Sequence, residues 1–516
     1  MSIVINNGVN PSSDPTLQNR LKAFKKLAAD LQISESVRST LNWDRLTYMP
    51  QAATAGRASQ MSFLARQSHN TLISRKMHGL IDYLEANSGH LNRADQALLR
   101  EIQSRYKREK NIPGFLVQAF AKRVVKAQDL RIQAYDASDF NTFAPALEKL
   151  VSIKQQMAKH MGYEKSPYDA LLDVYEPGMT TEKLDKIFKR LKDELVPLIR
   201  KINALPKPDT SFLHKIYDHA KQISLSEDLF KHIGFDSYRG RWDEADQPIS
   251  HGILTNDVRL NIGISDDSIF RTIANVMHEG GHGLYYQGLD PSLEQTPLFD
   301  ASSLGMDESQ ARLYEAIVGQ GLPFWKYYFP KLQELFPENL KDVKPEEFYR
   351  AINNVVSSAF WDDSDELTYN LHIMVRYETE KALIEGTLPV KDAPKAWNEK
   401  VKEYLGVTPD DDVYGPLENS HWSDGEFGYL PLYTLGNAYA AQIYNTLKKE
   451  IPDIEEQFTE GNMNILKEWL VEQIYKYGKV ETPDEILQRV TGESLNIEHY
   501  IHYIKNKYSK LYNLAS

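Results

Sequence analysis

The chain has 516 residues, with 60 basic and 72 acidic side chains, a net charge of −12 and no cysteine. This length exceeds the usual size of one compact core, which predicts either two lobes or one large helical body with a cleft. The absence of cysteine excludes disulfides, thiolate ligands and cysteine nucleophiles, so any metal must bind His, Asp or Glu. The acidic balance argues against nucleic acid as the main partner, because phosphate binding needs a basic surface.

The start of the chain is polar and rich in Asn, Ser and Pro, which predicts an N-terminal tail over residues 1–16. We expect one large domain over residues 17–516, either undivided or made of two helical lobes that flank a cleft. No segment approaches the roughly 18 consecutive apolar residues of a membrane span, and we see no export signal. We therefore expect a cytoplasmic protein with no membrane partner.

Helical periodicity dominates the sequence. Apolar residues recur at three- and four-residue steps near the N-terminus, at Leu17, Leu21, Phe24, Leu27 and Leu31. The same spacing precedes Gly478, a typical C-terminal stop, at Ile465, Trp469, Leu470 and Ile474. These stripes predict amphipathic helices packed against one another, and so a mainly α fold.

One segment has the pattern of a β-strand. Val258, Leu260 and Ile262 alternate with polar residues or glycine, which is the period of a half-exposed strand. An extended peptide can add to the edge of such a strand through main-chain hydrogen bonds. We therefore expect this strand to line a cleft and to offer its edge to a peptide.

The segment His278-Glu279-Gly280-Gly281-His282 has the pattern H-E-x-x-H. On a helix, positions i and i+4 share one face, so both imidazoles can reach one zinc ion while Glu279 points at a metal-bound water. Coincidence is the alternative, because 14 histidines make a chance match plausible. The motif alone is suggestive, and its context decides its weight.

The context of the motif is helical. Residues 265–267, Ser-Asp-Asp, are expected to form the N-cap, and an apolar stripe follows up to Gly288, at Ile269, Ile273, Val276, Met277 and Leu284. Three glycines lie inside this helix, at Gly280, Gly281 and Gly283, and each costs about 1 kcal/mol relative to Ala. Either a ligand approaches the backbone closely, or the glycines allow tight packing of another helix.

A catalytic zinc needs a third protein ligand and an open position for water. No third histidine follows closely, so a carboxylate from a later helix is the better expectation. Five carboxylates are available, Glu294, Asp300, Asp307, Glu308 and Glu315. Spacing favours Glu308 modestly, because Arg312 and Glu315 share its helical face and the arginine can steady a ligating carboxylate.

Several further segments carry a resemblance that covers nearly the whole chain. They are Asn42-Trp43-Asp44 with residues 47–50, Tyr168–Leu172 with Tyr175–Met179, His278–His282, Glu308-Ser309-Gln310, Asp365–Tyr369 with Leu371-His372, and His421-Trp422 with Phe427-Gly428-Tyr429. Together they resemble the carboxypeptidase Taq family of HExxH metallopeptidases. The resemblance implies a mainly α fold, namely a large helical body with a deep active-site cleft and a small β-sheet beside the HExxH helix.

The same resemblance implies one divalent metal ion per chain, zinc first, with cobalt or manganese as alternatives. It also implies a homodimer and a peptide or small amide substrate. The glutamate of the family's E-S-Q segment is its third metal ligand and corresponds to Glu308, in agreement with the spacing. His278 and His282 correspond to the other ligands and Glu279 to the general base.

A histidine and a tyrosine near the C-terminal motif stabilise the oxyanion in such enzymes. By resemblance these residues are His421 and either Tyr429 or Tyr433. Each such donor contributes typically a few kcal/mol to the transition state. The sequence leaves the choice of tyrosine open.

The departures from the family pattern spare the metal ligands and fall mostly in the segments expected to recognise substrate. H-P-F becomes His251-Gly252-Ile253, D-x-R-x-T becomes Asp257–Asn261, the histidine before E-S-Q becomes Asp307, I-R-x-x-A-D becomes Phe360–Asp365, and Q-D-x-H-W becomes Glu418–Trp422. The metal motifs are thus intact while the other motifs are altered.

The arginine of I-R-x-x-A-D is a candidate anchor for a peptide's terminal carboxylate, because a guanidinium grips a carboxylate with two parallel hydrogen bonds. Trp361 stands in its place and cannot do this. Acidic neighbours, Asp362, Asp363 and Asp365, would favour a neutral or cationic group if they face the cleft, or they are solvated helix-end charges. The expected substrate contacts are Arg259, His251, Trp361 and Asp365, with Arg259 the best remaining cation.

These patterns predict a metal-dependent peptidase that removes C-terminal amino acids, with shifted specificity. The alternative is an amidase or endo-acting peptidase on the same metal site, with no need for a free C-terminal carboxylate. A third hypothesis is a non-catalytic, metal-stabilised binding protein. Glu279 argues against it, since a structural metal site requires no base beside its ligands.

Overall fold

The computed structural model describes residues 14–245 and 247–514, so most of the predicted tail, residues 1–13, lies outside the described residues. The first helix begins at Pro15, inside the predicted tail. Its start is fixed by Asp14, whose side chain accepts a hydrogen bond from the backbone N–H of Thr16 at 2.8 Å. An Asp cap followed by proline in the first turn is a strong local start signal.

Most of the described chain is helical, which confirms the predicted mainly α class. In the first half the helices are α1 (Pro15–Thr47), α2 (Thr54–Leu72), α3 (Arg75–Ala86), α4 (Arg93–Lys110), α5 (Gly114–Asp136), α6 (Phe140–Met161), α7 (Pro167–Leu172), α8 (Thr181–Asn203) and α9 (His219–Ile233). After the sheet come α10 (Ile269–Gly288), α11 (Leu304–Arg312), α12 (Leu322–Leu335), α13 (Pro337–Leu340), α14 (Pro345–Ile352), α15 (Tyr369–Glu385), α16 (Ala393–Leu405), α17 (Ser420–Asp424), α18 (Pro431–Glu450), α19 (Ile454–Thr459), α20 (Asn464–Gln473), α21 (Pro483–Thr491) and α22 (Glu498–Leu511). Among the described residues no helix is long and apolar enough to span a membrane.

The described residues form one small sheet of three strands, β1 (Gly240–Glu244), β2 (Ile249–Leu254) and β3 (Asp257–Ile262). The strand order is β1-β3-β2, with β1 parallel and β2 antiparallel to β3. The predicted strand therefore exists, but the expectation that its edge receives a peptide is wrong. Both edges of β3 are already paired, and its alternating apolar residues are fully buried.

The chain divides into two compact units. Unit 1 contains the residues up to Lys110, Thr210–Tyr349 and Ile443–Ser494, and unit 2 contains Asn111–Asp209, Arg350–Gln442 and the residues from Leu495 onward. The HExxH helix α10 and the sheet belong to unit 1, whereas Trp361 and His421 belong to unit 2. The predicted domain and its cleft stay predictions.

Within unit 1, the N-cap of α10 lies one residue after the expected cap segment. Ser268, rather than residues 265–267, is the N-cap, and its hydroxyl accepts from the backbone N–H of Arg271 at 3.4 Å. The preceding serine has another role, because the backbone N–H of Ser265 donates to Thr272 at 2.9 Å. Four capping-type residues stand in a row here, and periodicity alone does not choose among them.

The glycines of α10 serve tight packing, the second of the two alternatives. A Cβ at Gly281 would lie 2.6 Å from the carbonyl oxygen of Gln310 and 2.7 Å from the Cα of Ala311, both in the backbone of α11. A Cβ at Gly283 would lie 2.9 Å from the ring of Phe235. The close approach of α11 at Gly281 is what brings the carboxylates of α11 to the histidines of α10.

Candidate metal centre

Three side chains of unit 1 converge on one point. The Nε2 atoms of His278 and His282 each lie 3.8 Å from Oε2 of Glu308. The donor atoms of these residues all lie within 4.8 Å of one another, and within the described ranges they are the one cluster of this kind. One turn of α10 supplies both imidazoles, and α11 supplies the carboxylate. The three predicted ligands are thus brought together.

The carboxylate of Glu315 lies behind His278. Nδ1 of His278 donates to Oε2 of Glu315 at 2.8 Å, and the same oxygen accepts from Nη1 of Arg312 at 2.7 Å. Burial opposes ionisation of Glu315, but Arg312 and His278 outweigh it and lower the pKa of Glu315 to about 2. The sequence predicted that the arginine would steady Glu308. It bonds Glu315 instead, and acts on the metal site through His278.

His282 has an equivalent partner. Its Nδ1 lies 2.9 Å from Oδ1 of Asp307, whose other oxygen accepts from the hydroxyl of Tyr286 at 3.2 Å. Burial disfavours a charged His282, but the negative charges of Asp307, Glu279 and Glu308 outweigh the effect of burial and raise the pKa of the imidazole to about 10. Because a metal displaces that proton, binding is coupled to proton release.

The residues present suit a divalent cation. Two imidazole nitrogens and one carboxylate are a common donor set for a catalytic metal. Oε1 of Glu308 is buried and contacts no hydrogen-bond donor among the described residues, and burial raises the pKa of Glu308. A buried carboxylate with one oxygen unbonded and the other 3.8 Å from two Nε2 atoms is costly unless a cation binds there. The site therefore fits one divalent metal ion.

Glu279, the predicted general base, is 4% exposed and lies between the two histidine ligands on α10. The hydroxyl of Ser250 in β2 donates to Oε2 of Glu279 at 2.6 Å. The sheet therefore orients the carboxylate beside the ligands. The sequence gives no signal for Ser250 as a partner of Glu279 beyond its place next to His251.

The expected substrate contacts of the sheet are already engaged. Arg259 makes a bidentate ion pair with Asp257, at 2.7 and 2.9 Å, and its guanidinium carbon lies 4.3 Å from the ring centre of Trp43. His251, beside it, lies 3.3 Å from the hydroxyl of Ser39. Burial, with a smaller effect of Arg259, lowers the pKa of His251 to about 4, so this imidazole is neutral near pH 7.

Within unit 2, His421 lies among tyrosine rings. Its Nδ1 lies 2.8 Å from Oε2 of Glu426, and its ring stacks on Tyr429 with centroids 5.2 Å apart. The ring of Tyr433 lies 6.2 Å from that of His421 and 5.6 Å from that of Tyr429. Both candidate tyrosines therefore accompany the histidine, and the choice between them stays open.

A buried carboxylate on α15 fixes this region. Glu380 accepts hydrogen bonds from the hydroxyl of Tyr168 at 2.8 Å, the indole N–H of Trp422 at 2.8 Å and the backbone N–H of Gly428 at 2.7 Å. Trp422 and Gly428 directly adjoin His421 and Tyr429 in the sequence. Glu380 therefore sets the positions of both rings.

The two most consequential departures from the family pattern contact each other in unit 2. The backbone N–H of Trp361 donates to Glu418, which also binds Nη2 of Arg376 at 2.6 Å. The guanidinium carbon of Arg376 lies 4.6 Å from the ring centre of Trp361 and 4.9 Å from that of Trp397. The sequence places Glu418 in a second altered motif, but nothing in it marks Glu418 or Arg376 as a partner of Trp361.

Asp365 fixes a turn. Its side chain accepts from the backbone N–H groups of Val356 at 3.0 Å, Leu367 at 2.9 Å and Thr368 at 3.0 Å. Both carboxylate oxygens are therefore bonded to the backbone, which leaves its predicted substrate contact without support. Asp362 and Asp363 are exposed, as solvated charges are expected to be.

The arrangement of two histidines and a glutamate, with a further carboxylate beside them, is typical of a metal-dependent hydrolase. A profile of the carboxypeptidase Taq (M32) metallopeptidase family matches residues 23–508. The chain belongs to this family. It is therefore a metal-dependent carboxypeptidase, and the amidase or endopeptidase alternative and the non-catalytic binding protein are not favoured.

The relatives and solved structures agree with this assignment. Carboxypeptidase 1 of Bacillus subtilis is 37% identical over 93% of this chain and 96% of its own length. Thermostable carboxypeptidase 1 of Thermus thermophilus is 36% identical over 91% of this chain and 94% of its own length. The crystal structure of the M32 carboxypeptidase from Deinococcus radiodurans matches with a TM-score of 0.92 at 32% identity, covering 96% of this chain and 100% of that one. The predicted helical class with a small sheet is confirmed.

Proposed function

We propose that this chain is a zinc-dependent carboxypeptidase whose metal is held by His278, His282 and Glu308. The convergence of these donors, with Glu279 between the histidines, is the observation that carries the proposal. Zinc suits two imidazoles and one carboxylate, and cobalt or manganese can occupy the same donors. The direct test is metal analysis of the purified chain, followed by removal of the ion with a chelator and recovery of C-terminal residue release with one equivalent of zinc.

The chain's own residues carry the proton transfers. A bound divalent ion supplies Lewis acidity at the scissile carbonyl and acidifies a water molecule. Glu279 accepts the proton of the attacking water and passes it to the leaving amine. Ser250 holds one carboxylate oxygen of Glu279 at 2.6 Å, which leaves the other oxygen to accept that proton.

We propose that His421, with Tyr429 or Tyr433, stabilises the oxyanion. Support comes from the family resemblance and from the shared packing of the three rings. Nδ1 of His421 donates to the carboxylate of Glu426, which holds the imidazole ring in one orientation.

We propose that the requirement for a free C-terminal carboxylate is weaker than the family pattern implies. Trp361 replaces the arginine suited to that group, and Glu418 neutralises Arg376 directly beside it. Two changes thus remove positive charge from one place in unit 2. Arg259 is the remaining candidate anchor on the sheet, but Asp257 already occupies the Nε–Nη2 edge of its guanidinium. A substrate carboxylate at Arg259 would therefore bind beside the negative charge of Asp257.

We propose that the enzyme acts on peptides as a homodimer. The homodimer rests on the family resemblance. Light scattering coupled to size exclusion measures the oligomeric state directly. A mass near 118 kDa, twice the 59.2 kDa of one chain, supports the dimer, and a mass near that of one chain contradicts it.

A further inference from the structure

Asp307 departs from the family pattern beside the metal ligands. It immediately precedes Glu308 on α11 and is 6% exposed. One carboxylate oxygen lies 2.9 Å from Nδ1 of His282, and the other accepts from the hydroxyl of Tyr286 at 3.2 Å. Both oxygens thus have a partner on α10, and a histidine at this position would offer no carboxylate to His282.

We propose that Asp307 is a positioning residue that holds His282 for metal binding. Its carboxylate accepts a hydrogen bond from Nδ1 of His282, which leaves the Nε2 lone pair facing Glu308. The same hydrogen bond makes the imidazole a stronger electron-pair donor to a metal ion. Histidine ligands commonly pair in this way with a carboxylate, and loss of such a partner typically weakens metal binding roughly 10- to 100-fold.

With Asp307 in place, each histidine ligand has a carboxylate behind it. Glu315 holds His278 at 2.8 Å, and Asp307 holds His282 at 2.9 Å. The two pairs differ in one respect, because Glu315 also accepts from Arg312, whereas the second partner of Asp307 is a neutral hydroxyl. The negative charge of Asp307 is therefore less compensated, and we expect its removal to be felt strongly by a bound cation.

A purely structural role for Asp307 is the competing explanation, since it also anchors Tyr286. Tyr286→Phe removes only that hydrogen bond and is the matched control. Asp307→Asn keeps the shape and can still accept from Nδ1 of His282, but it removes the charge. Asp307→Glu keeps the charge and tests for rescue.

The experiment measures the zinc dissociation constant of each full-length variant by competition with a chromophoric chelator, together with the unfolding temperature of the chelator-treated protein. We expect Asp307→Asn to bind zinc about 10-fold more weakly or worse. Tyr286→Phe should stay within about twofold of wild type, and Asp307→Glu should bind more tightly than Asp307→Asn. If the zinc-free form of Asp307→Asn does not fold, the zinc affinities of Asp307→Glu and Tyr286→Phe are compared. Weaker binding in Asp307→Glu, which displaces the carboxylate, supports the positioning role, and equal binding in the two variants contradicts it.

This inference rests on the proposed metal site, and one further variant separates the two. His278→Ala should lose zinc binding altogether. If it does so while Asp307→Asn and Asp307→Glu both bind as tightly as wild type, the positioning role is overturned and the metal site stands. If His278→Ala still binds zinc like wild type, the proposed site itself is wrong. A loss of affinity in Tyr286→Phe as large as that in Asp307→Asn also overturns the proposal, because anchoring would then explain both.

Discussion

The guanidinium of Arg376 lies over the ring of Trp361, with 4.6 Å between the guanidinium carbon and the ring centre. Glu418 joins the two, because it accepts from the Arg376 side chain at 2.6 Å and from the backbone N–H of Trp361. Arg376 is 1% exposed, so its charge depends on this carboxylate. The tryptophan and the glutamate, two separate departures in the sequence, therefore form one unit in the fold.

Glu418→Gln should destabilise the protein. The substitution keeps the shape of the side chain but leaves the buried charge of Arg376 without its counter-ion. Loss of a hydrogen bond between charged groups of this kind costs about 1.5 to 3 kcal/mol. The measurement is the midpoint of urea unfolding, with Asp362→Asn at an exposed acidic position of the same region as the control. Equal midpoints for Glu418→Gln, the control and wild type would show that Arg376 does not need the charge.

Glu279→Gln should keep the metal and lose nearly all turnover. The amide has the shape of the carboxylate and can still accept from Ser250, but it cannot take a proton from water. Metal content and kcat are measured on the same sample, with Ser250→Ala as a companion variant. We expect Ser250→Ala to lose less activity, because it disturbs only the orientation of the base. If Glu279→Gln keeps activity within about tenfold of wild type, Glu279 is not the general base.

His278→Ala should lose the metal ion and with it all activity. The variant removes one of three donors and leaves the carboxylate pair of Glu308 and Glu315 less compensated. Elemental analysis after extensive dialysis checks this, and His219→Ala is the matched control, because His219 is a half-exposed histidine that pairs with Glu244 and Asp266. Retention of one equivalent of metal in His278→Ala would place the metal elsewhere.

Glu426→Gln should lower kcat with little change in KM. Glu426 accepts from Nδ1 of His421 and orients its ring, and a glutamine at this position accepts the same hydrogen bond without the negative charge and holds the ring less firmly. Because Glu426 is half exposed, we expect a loss of only about two- to tenfold, in keeping with the modest energies of exposed ion pairs. Asp424→Asn, a change at a nearby carboxylate that accepts from Gln128 at 2.7 Å, is the control. An unchanged kcat would show that the pair with Glu426 is not needed to position His421.

The candidate metal site was the part of the protein most open to prediction, because the spacing of its two histidines is short-range. His278 and His282 are one helical turn apart, and helix geometry alone brings them together. Glu308 needed the resemblance to be singled out, since several carboxylates follow at similar distances in the sequence. The contact that selects it, the backbone of α11 against Gly281, is long-range and has no local pattern.

The sequence was a poorer guide to partners that come from distant segments. The strand over residues 257–262 was found from its alternation, but its central place in the sheet depends on β1, which has no such alternation. Arg376 lies in the middle of a helix that is buried nearly all round, so nothing local marks it as the partner of Trp361. Arg259 looked like a free cation until the structure showed its bidentate pair with Asp257.

The most direct test of the altered specificity compares two peptides of identical sequence, one with a free C-terminal carboxylate and one amidated. The quantity is the ratio of their kcat/KM values for release of the last residue, measured for wild type, Arg259→Ala and the double variant Trp361→Arg with Glu418→Gln. A guanidinium anchor is worth about 1.5 to 3 kcal/mol, or roughly ten- to hundredfold. We predict that wild type prefers the free-acid peptide by less than about tenfold and that the double variant prefers it more strongly. If the anchor has moved to the sheet, Arg259→Ala instead abolishes the preference. A preference of about a hundredfold for the free acid that survives Arg259→Ala would contradict the account.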